Sequence, residues 1–550
     1  MVGLFDEILS HLGEFGRYQK LVYFLLCLSA ISCGIRMVLS VFIQKTPAHR
    51  CAIPGYDNDT YEIQSDYHAR LINLTIPLDD SDDDQVYDKC HIYLVSDNMT
   101  TVACDKWVYS TDIIQNSAVT EMDMVCEAAL DTSHAQMIFT AGYLFGVFIL
   151  GIISDKIGRK KALYFSVILS LAGGLGLAWT PNNFIVYCVI RFVNGFSMGG
   201  VFPITFVMSI EIVGRSKRAL IGISIEYFFA MGLVILSGLA YLIRDWRYLE
   251  ITVSVPSALF LLYWCCIPES PRWLISEGRY KHAERIITTA AKMNKVTLPD
   301  HLFQRDSTQH IPDKQKEITQ ADTTKASIVD MFKSQALLIR SLIIFLNWMV
   351  VSMVYYGLSL NTDNLGAGSL YVNFLISGLV EFPAYTICIL LLGRVGRKAL
   401  HCGSMILGGV SCLLTTFTVL YLDKDHQWAT VLLAMVGKLG AAGGFAIIYV
   451  FSAELFPTVV RNSAMGASGS WARVGGMIAP YIADLGKVVH GDIGHVLPLI
   501  IFGSASVAAG LLSLFLPETL NRCLPETIED GENFGRIVEV KEKDVISTKF

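Results

Sequence analysis

Glu381, Lys438 and Arg473 each fall near the middle of a long hydrophobic stretch: Glu381 in Leu370–Leu392, Lys438 in Trp428–Ser452 and Arg473 in Ser463–Leu485. Each is about 10 residues from an end. At about 1.5 Å of rise per residue that is roughly 15 Å, half of a roughly 30 Å hydrocarbon core. A charge at that depth costs several kcal/mol unless it meets a partner or a cavity, so it marks a pathway or a binding site. The residue types say what such a site would hold. The planar fork of Arg473 suits a carboxylate gripped at two points, and Lys438 adds a second positive charge. Glu381 suits an ammonium. Tyr355, Tyr356 and Phe374 are candidates for an aromatic cage around it, with Tyr143 a further one, and cation–π contacts add roughly 0.5–2 kcal/mol. The alternative is that the three charges neutralise one another as structural ion pairs and that the aromatics are packing residues.

Two more charges interrupt apolar runs, Arg36 in the outer part of the first and Glu226 in the inner part of the fifth. Glu226 is expected to snorkel to the inner interface, with a role in proton or ion coupling as the alternative.

The elements that must position these groups follow from composition. The chain has 550 residues, of which 53% are apolar and only 17% charged, with a net charge of −6; its mean hydropathy is +0.48. That is the composition of a polytopic membrane protein. Twelve apolar stretches are expected, at roughly 21–42, 136–154, 162–180, 185–208, 220–242, 248–267, 336–358, 370–392, 399–421, 428–452, 463–485 and 495–516. Residues 1–20 precede them, a polar segment of about 43–133 separates the first two, another of about 268–335 separates the sixth and seventh, and 517–550 form a polar tail.

Lysine and arginine fix the expected orientation. Lys156, Arg159, Lys160 and Lys161 follow the second stretch, Arg215, Lys217 and Arg218 the fourth, and Arg394, Arg397 and Lys398 the eighth. These loops belong in the cytoplasm, which places both termini inside and the 43–133 segment outside. That segment is acidic, with Asp79, Asp80, Asp82, Asp83 and Asp84 in one cluster. It carries three glycosylation sequons, at Asn58, Asn73 and Asn98, and four cysteines, Cys51, Cys90, Cys104 and Cys126. Four cysteines allow two disulfides in three connectivities.

The two halves repeat one unit. Asp155-Lys156-Ile157-Gly158-Arg159-Lys160 lines up with Gly393-Arg394-Val395-Gly396-Arg397-Lys398. Glu211 precedes Arg218 as Glu454 precedes Arg461, and Pro268-Glu269-Ser270 matches Pro517-Glu518-Thr519. Parallel six-helix halves about a midplane site are the architecture of major facilitator transporters. In that reading Asp155 pairs with a base across the seam between the halves, Arg159 reaches Glu211, and these bonds, with Arg218, Glu454 and Arg461, latch the cytoplasmic side. Gly393 in place of Asp155 makes the latch asymmetric.

With Gly151–Lys161, Glu269-Ser270-Pro271-Arg272-Trp273-Leu274, Val380-Glu381-Phe382-Pro383-Ala384-Tyr385 and Ala453-Glu454-Leu455-Phe456-Pro457-Thr458-Val459-Val460-Arg461-Asn462 in view, the chain resembles the organic cation, organic anion and carnitine transporters. The resemblance runs over nearly the full length and includes Phe5-Asp6-Glu7-Ile8-Leu9 and the cysteine-bearing loop. It implies a major facilitator fold of twelve membrane helices with a large extracellular loop, in the plasma membrane. It also implies that members carrying simple cations have an aspartate where this chain has Arg473, so that Ala472-Arg473-Val474-Gly475 looks like the carnitine and anion branches.

The residues then favour a zwitterion of the carnitine kind, which satisfies Arg473 and Glu381 together. Organic anion exchange is the alternative, and a non-transporting receptor the second. No zinc-ligand spacing, nucleophile elbow or phosphate-cradling loop is present, so the chain reads as a secondary transporter rather than an enzyme, with no cofactor and no nucleic acid partner. Sodium or proton coupling stays open. The end Thr548-Lys549-Phe550 fits a PDZ-domain ligand.

Overall fold

The computed structural model describes residues 8–78, 87–94, 97–298, 331, 333–361, 369–422, 426–489, 492–522 and 524–534. Phe5-Asp6-Glu7, the acidic cluster Asp79–Asp84, the polar run beyond Leu298 and the end Thr548-Lys549-Phe550 lie outside these residues.

The described chain is built on twelve long helical segments: α1 (Arg17–Val38, continued by Ser40–Ile43), α2 (Asp131–Ile157), α3 (Arg159–Ala178), α4 (Phe184–Glu211), α5 (Arg218–Leu242), α6 (Trp246–Ser254), α7 (Gln335–Leu360), α8 (Leu370–Leu392), α9 (Arg397–Tyr421), α10 (Gln427–Leu455), α11 (Arg461–Ala483) and α12 (Asp492–Leu512). Helix α6 loosens into a 3₁₀ turn over Val255–Leu262, where Pro256 removes a backbone donor, and resumes at Tyr263–Cys266. Eleven of these segments are long and apolar enough to cross a membrane. The exception is α11. Its 23 residues hold Arg461 and Arg473 and the small run Gly466-Ala467-Ser468-Gly469-Ser470, which lower its hydropathy. A low-hydropathy helix inside a bundle is shielded from lipid by its neighbours, so composition alone undersells it.

The repeat read from the sequence is a repeat of packing. In the first half α1 lies on α5, α2 on α4, α3 on α4 and α3 on α6; in the second α7 lies on α11, α8 on α10, α9 on α10 and α9 on α12. Across the seam α2 meets α11 and α5 meets α8. Two close approaches set the level of the central residues. A Cβ on Gly195 of α4 would sit 1.9 Å from the Phe139 carbonyl oxygen of α2, and one on Gly475 of α11 would sit 2.0 Å from that of Met349 in α7. Only glycine lets these helix backbones touch.

At one end of the bundle the 43–133 segment forms a cap. Strands β1 (His49–Cys51) and β4 (Trp107–Tyr109) pair antiparallel, as do β2 (His91–Leu94) and β3 (Asp97–Ala103). Of the three connectivities open to the sequence, the fold adopts Cys51–Cys104 and Cys90–Cys126. The β1–β4 pairing sets Cys51 opposite Trp107, three residues past its partner Cys104. Cys51, Ile53, Ile72, Ile76 and Cys104 make a small separate core. Arg50 donates to Asp59 at 2.6 Å, and His68 lies 2.9 Å from the same carboxylate. Asn58 and Asn73 are exposed; Asn98 lies in β3, and its side chain is outside those described. The cap is tied to the bundle by Arg247 on Glu121 and by Asn116 on Asp245.

At the opposite end, two short helices, Pro271–Ser276 and Tyr280–Asn294, follow α6. Their apolar faces, Trp273, Leu274, Ile275, Ala283 and Ile287, bury Ile8, Leu9 and Leu12 in a second small core.

Candidate functional site

The latch motifs stand at the end opposite the cap, one per half, and their geometry repeats. Gly158 and Gly396 break the chain between α2 and α3 and between α8 and α9, at φ of 107° and 101°. A carboxylate fills the space over each glycine: a Cβ would fall 2.4 Å from Glu269 Oε2 at Gly158 and 2.5 Å from Glu518 Oε2 at Gly396. Glu269 accepts from the Lys160 amide at 3.0 Å, and Glu518 from those of Arg397 and Lys398 at 2.9 and 3.1 Å. Each carboxylate thus caps the free amides of a helix start. Burial alone would raise the Glu518 carboxyl, but the amides of Leu520, Arg397, Thr519 and Lys398 outweigh it and hold the group below its ordinary range.

Arg159 reaches Glu211 at 3.4 Å and Arg397 reaches Glu454 at 2.9 Å. Both pairs lie inside one half, as does the Asp155–Arg159 pair at 2.9 Å, in which Asp155 is 74% exposed. The expectation that Asp155 pairs across the seam does not hold here: its carboxylate pairs with Arg159, just past the Gly158 break in the same half. Arg461 donates to the Phe456 carbonyl at 3.2 Å at the head of α11, and Arg218 is half-buried at the head of α5.

Polar contacts do cross the seam near the cap. Ser133 and Thr132 at the start of α2 donate to Asp484, at 2.5 and 3.2 Å, and Lys487 donates to Thr132 at 3.0 Å. Ser237 of α5 donates to the Tyr371 carbonyl of α8 at 2.7 Å. Between this seal and the cap lies a vestibule of about 1670 Å³.

The midplane charges separate into two sites. Glu381 and Lys438 form a closed cluster. Lys438 Nζ lies 3.2 Å from Glu381 Oε1, donates to Ser359 Oγ at 2.6 Å and stands 3.5 Å over the Tyr355 ring. The hydroxyls of Tyr355 and Tyr385 donate to the two Glu381 oxygens at 2.6 and 2.9 Å. Glu381 is 0% and Lys438 2% exposed. Both carboxylate oxygens and the ammonium are therefore occupied by the protein itself.

The second site is a central cavity with Arg473 in its wall. Tyr143, Phe202, Phe229 and Glu226 line it from the first half and Tyr355, Tyr356, Tyr385, Phe445 and Tyr449 from the second. The Arg473 guanidinium stacks 4.0 Å over the Tyr143 ring, Tyr356 hydrogen-bonds it, and its Nη1 has no hydrogen-bond partner among the described residues. Glu226 is 9% exposed and faces the same space. Among the described residues its carboxylate has no hydrogen bond and no ion pair within 4 Å. The cavity offers only about 30 Å³ of water-sized space, far below the 300–1,000 Å³ of a site holding an organic molecule. An organic solute enters only if the surrounding helices part.

Of the residues singled out in the sequence, the fold thus brings Arg473, Tyr143, Tyr355 and Tyr356 to one cavity wall. It sets Glu381 and Lys438 behind that wall. Phe374 is fully buried against Phe42 at 5.0 Å between ring centres and does not line the cavity. Glu226 does not snorkel: it points into the bundle, beside Phe229 and Phe202. Its signal was an unpaired carboxylate inside an apolar run. Tyr385 was legible too, one turn beyond Glu381 on the same helix face. Tyr449, Phe445 and Phe229 carried no such signal, since aromatics are ordinary in apolar helices.

Comparison with known proteins bears on this architecture. Residues 71–530 match the family described as Sugar (and other) transporter. The chain is 42% identical over 536 residues to an organic cation transporter protein of Drosophila melanogaster, spanning 97% of this chain and 95% of that one. It is 34% identical over 546 residues to the human organic cation/carnitine transporter 2, spanning 96% and 93%. Among solved structures, the proton:xylose symporter of the major facilitator superfamily bound to 6-bromo-6-deoxy-D-glucose superposes with a TM-score of 0.59 at 16% identity, covering 94% of this chain and 99% of that one.

Proposed function

We propose that this chain, which belongs to the sugar (and other) transporter family of the major facilitator superfamily and within it to the organic ion transporters, carries organic cations bearing a second, negative group. Carnitine and other betaines are the class we have in mind. The relatives' names point to organic cations and carnitine. The observation that carries the zwitterion reading is the cavity wall, where a guanidinium and a carboxylate, Arg473 and Glu226, face one aromatic space without an ion pair between them. A plain anion would meet Glu226 there and a plain cation would meet Arg473, so neither is served as well as a solute with both charges. The wall itself, five tyrosines and Phe445, offers cation–π faces to a quaternary ammonium.

The mechanism we propose is alternating access. The seal at Thr132, Ser133, Asp484 and Lys487 holds the cap side shut and would open as the halves rock, while the Arg159–Glu211 and Arg397–Glu454 pairs keep each half rigid at the other end. We place the protein in the plasma membrane with the cap outside and both termini in the cytoplasm, from the lysine- and arginine-rich loops. There the chain end would be available to a PDZ domain. A static receptor would have no use for buried, unpaired charges of opposite sign.

The test is uptake of labelled carnitine, a plain quaternary cation and an aromatic monocarboxylate into cells expressing the chain, with and without sodium. Saturable carnitine uptake that Arg473→Ala abolishes at unchanged surface expression is the expected result, and its sodium dependence identifies the coupling. Uptake of the plain cation alone, unaffected by Arg473→Ala, overturns the zwitterion reading.

A further inference from the structure

The zwitterion needs a negative group in the protein to meet its ammonium, and the most obvious carboxylate is not free to serve. Glu381 accepts from Tyr355 on one oxygen and Tyr385 on the other, and is paired to Lys438 at 3.2 Å. Drawing it toward a solute would strand a buried lysine, which is strongly unfavourable.

We infer that Glu226, on α5, is the residue that recognises the cationic group of the substrate and excludes purely anionic solutes, Glu381 and Lys438 being a structural pair behind it. This rests on the zwitterion reading above and deepens it. Three observations carry the assignment. First, Glu226 is more than nine-tenths buried, faces the cavity, and has neither hydrogen bond nor ion pair among the described residues. A buried carboxylate left so is expensive unless another species completes its shell. Second, the charge with which it shares the cavity, Arg473 of the other half, is engaged on Tyr143 of α2 and Tyr356 of α7 and makes no ion pair with it within 4 Å among the described residues. The two poles thus face one space from different halves without being paired to each other. Third, the aromatic surfaces of the cavity it shares include Phe202 and Phe229 on its own half and Tyr385 and Tyr449 on the other. Aromatic faces around one carboxylate fit a methylated ammonium, which has no N–H to donate and is held by charge and cation–π contact instead of hydrogen bonds.

Placement on α5 also gives the residue a mechanical consequence. Glu226 belongs to the first half and Arg473 to the second. A solute held by both ties the halves together through its own length. A solute carrying one charge lacks one of these two charged anchors.

The experiment uses the full chain, purified in detergent, with thermal stabilisation and equilibrium binding as readouts and three probes: carnitine, tetramethylammonium and butyrate. In the native chain carnitine is expected to bind tightest. In Glu226→Gln, which keeps the side-chain shape and removes the charge, tetramethylammonium and carnitine should bind about 10- to 100-fold more weakly while butyrate binds as well as or better than before. Unchanged cation binding in Glu226→Gln, or cation binding lost in a folded Glu381→Gln and retained in Glu226→Gln, overturns the inference and leaves the zwitterion reading standing. A native chain that binds none of the three, or butyrate alone, removes the zwitterion reading itself. Should Glu226→Gln yield no folded protein, Glu226→Asp decides. A cation affinity weakened about fivefold or more with butyrate unchanged upholds the assignment, and an equal loss for both probes overturns it.

Discussion

Two groups of buried charge lie side by side in this protein and are treated in opposite ways. In the Glu381–Lys438 cluster every charged atom has a partner: two tyrosine hydroxyls, a serine hydroxyl, an aromatic face and the opposing charge. At the cavity, Glu226 and one nitrogen of Arg473 are left open. Each group joins one carboxylate and one base, and all four side chains are buried. The difference teaches that burial of a charge says only that something must be gained by it; the satisfaction of its hydrogen bonds tells whether the gain is structural or lies in a ligand.

The comparison can be broken most directly by removing one charge from each group. Lys438→Ala leaves Glu381 buried and uncompensated, a loss of about 3–5 kcal/mol. We expect little folded protein at the cell surface, and recovery in the double change Lys438→Met with Glu381→Gln. A well-folded Lys438→Ala that merely transports poorly would place this pair in the substrate site after all. Arg473→Ala should do the reverse, keeping surface expression and thermal stability while saturable uptake falls by about two orders of magnitude, in line with a charged, two-point hydrogen bond of about 1.5–3 kcal/mol. Surface biotinylation alongside uptake separates the two outcomes.

A smaller effect sharpens the comparison between the halves. Arg159 has Asp155 as well as Glu211, whereas Gly393 stands where a second carboxylate would serve Arg397. Glu454→Gln should therefore lower the melting temperature more than Glu211→Gln, by a difference of about 1 kcal/mol, since the latter leaves Arg159 paired at 2.9 Å. Equal losses would show that the Asp155 bond adds nothing.

The smallest expected effect lies in the cap. Burial tends to raise the Asp59 carboxyl, but Arg50, the Ile53 amide and His68 outweigh it and hold it below its ordinary value. A carboxyl lowered in the folded state adds stability that is present above its unfolded value and lost as pH falls through the folded one. The cap should thus be unaffected from neutrality down to about pH 4 and loosen only below that. Asp59→Asn should flatten this acid limb, as read by proteolysis of the cap against pH.

Much of this was legible in the chain. The apolar stretches, the doubled Gly-Arg-Lys loops and the charge bias announced a two-half helical bundle, because a bilayer allows few other ways of satisfying a backbone. The residues able to do chemistry were legible for the same reason: a charge in the midst of an apolar run stands out. Which way each one faces was not. A helix turns a side chain by about 100° per residue, and α11, α8 and α10 carry too many small or apolar residues all round for periodicity to mark the inner face.

What the sequence determined by itself, then, is the class of fold, the duplication, and a short roster of charges inside apolar runs. Tertiary structure alone decided which cysteines join, that the latches close within each half, that Glu381 belongs to Lys438, and that Glu226 belongs to the cavity. The physical reason is range. Hydropathy and charge bias act residue by residue against the bilayer and can be read along a line. The partner of a buried charge is fixed by helix–helix contacts between segments far apart in the chain, such as Gly475 on Met349 and Gly195 on Phe139, and no local pattern encodes them.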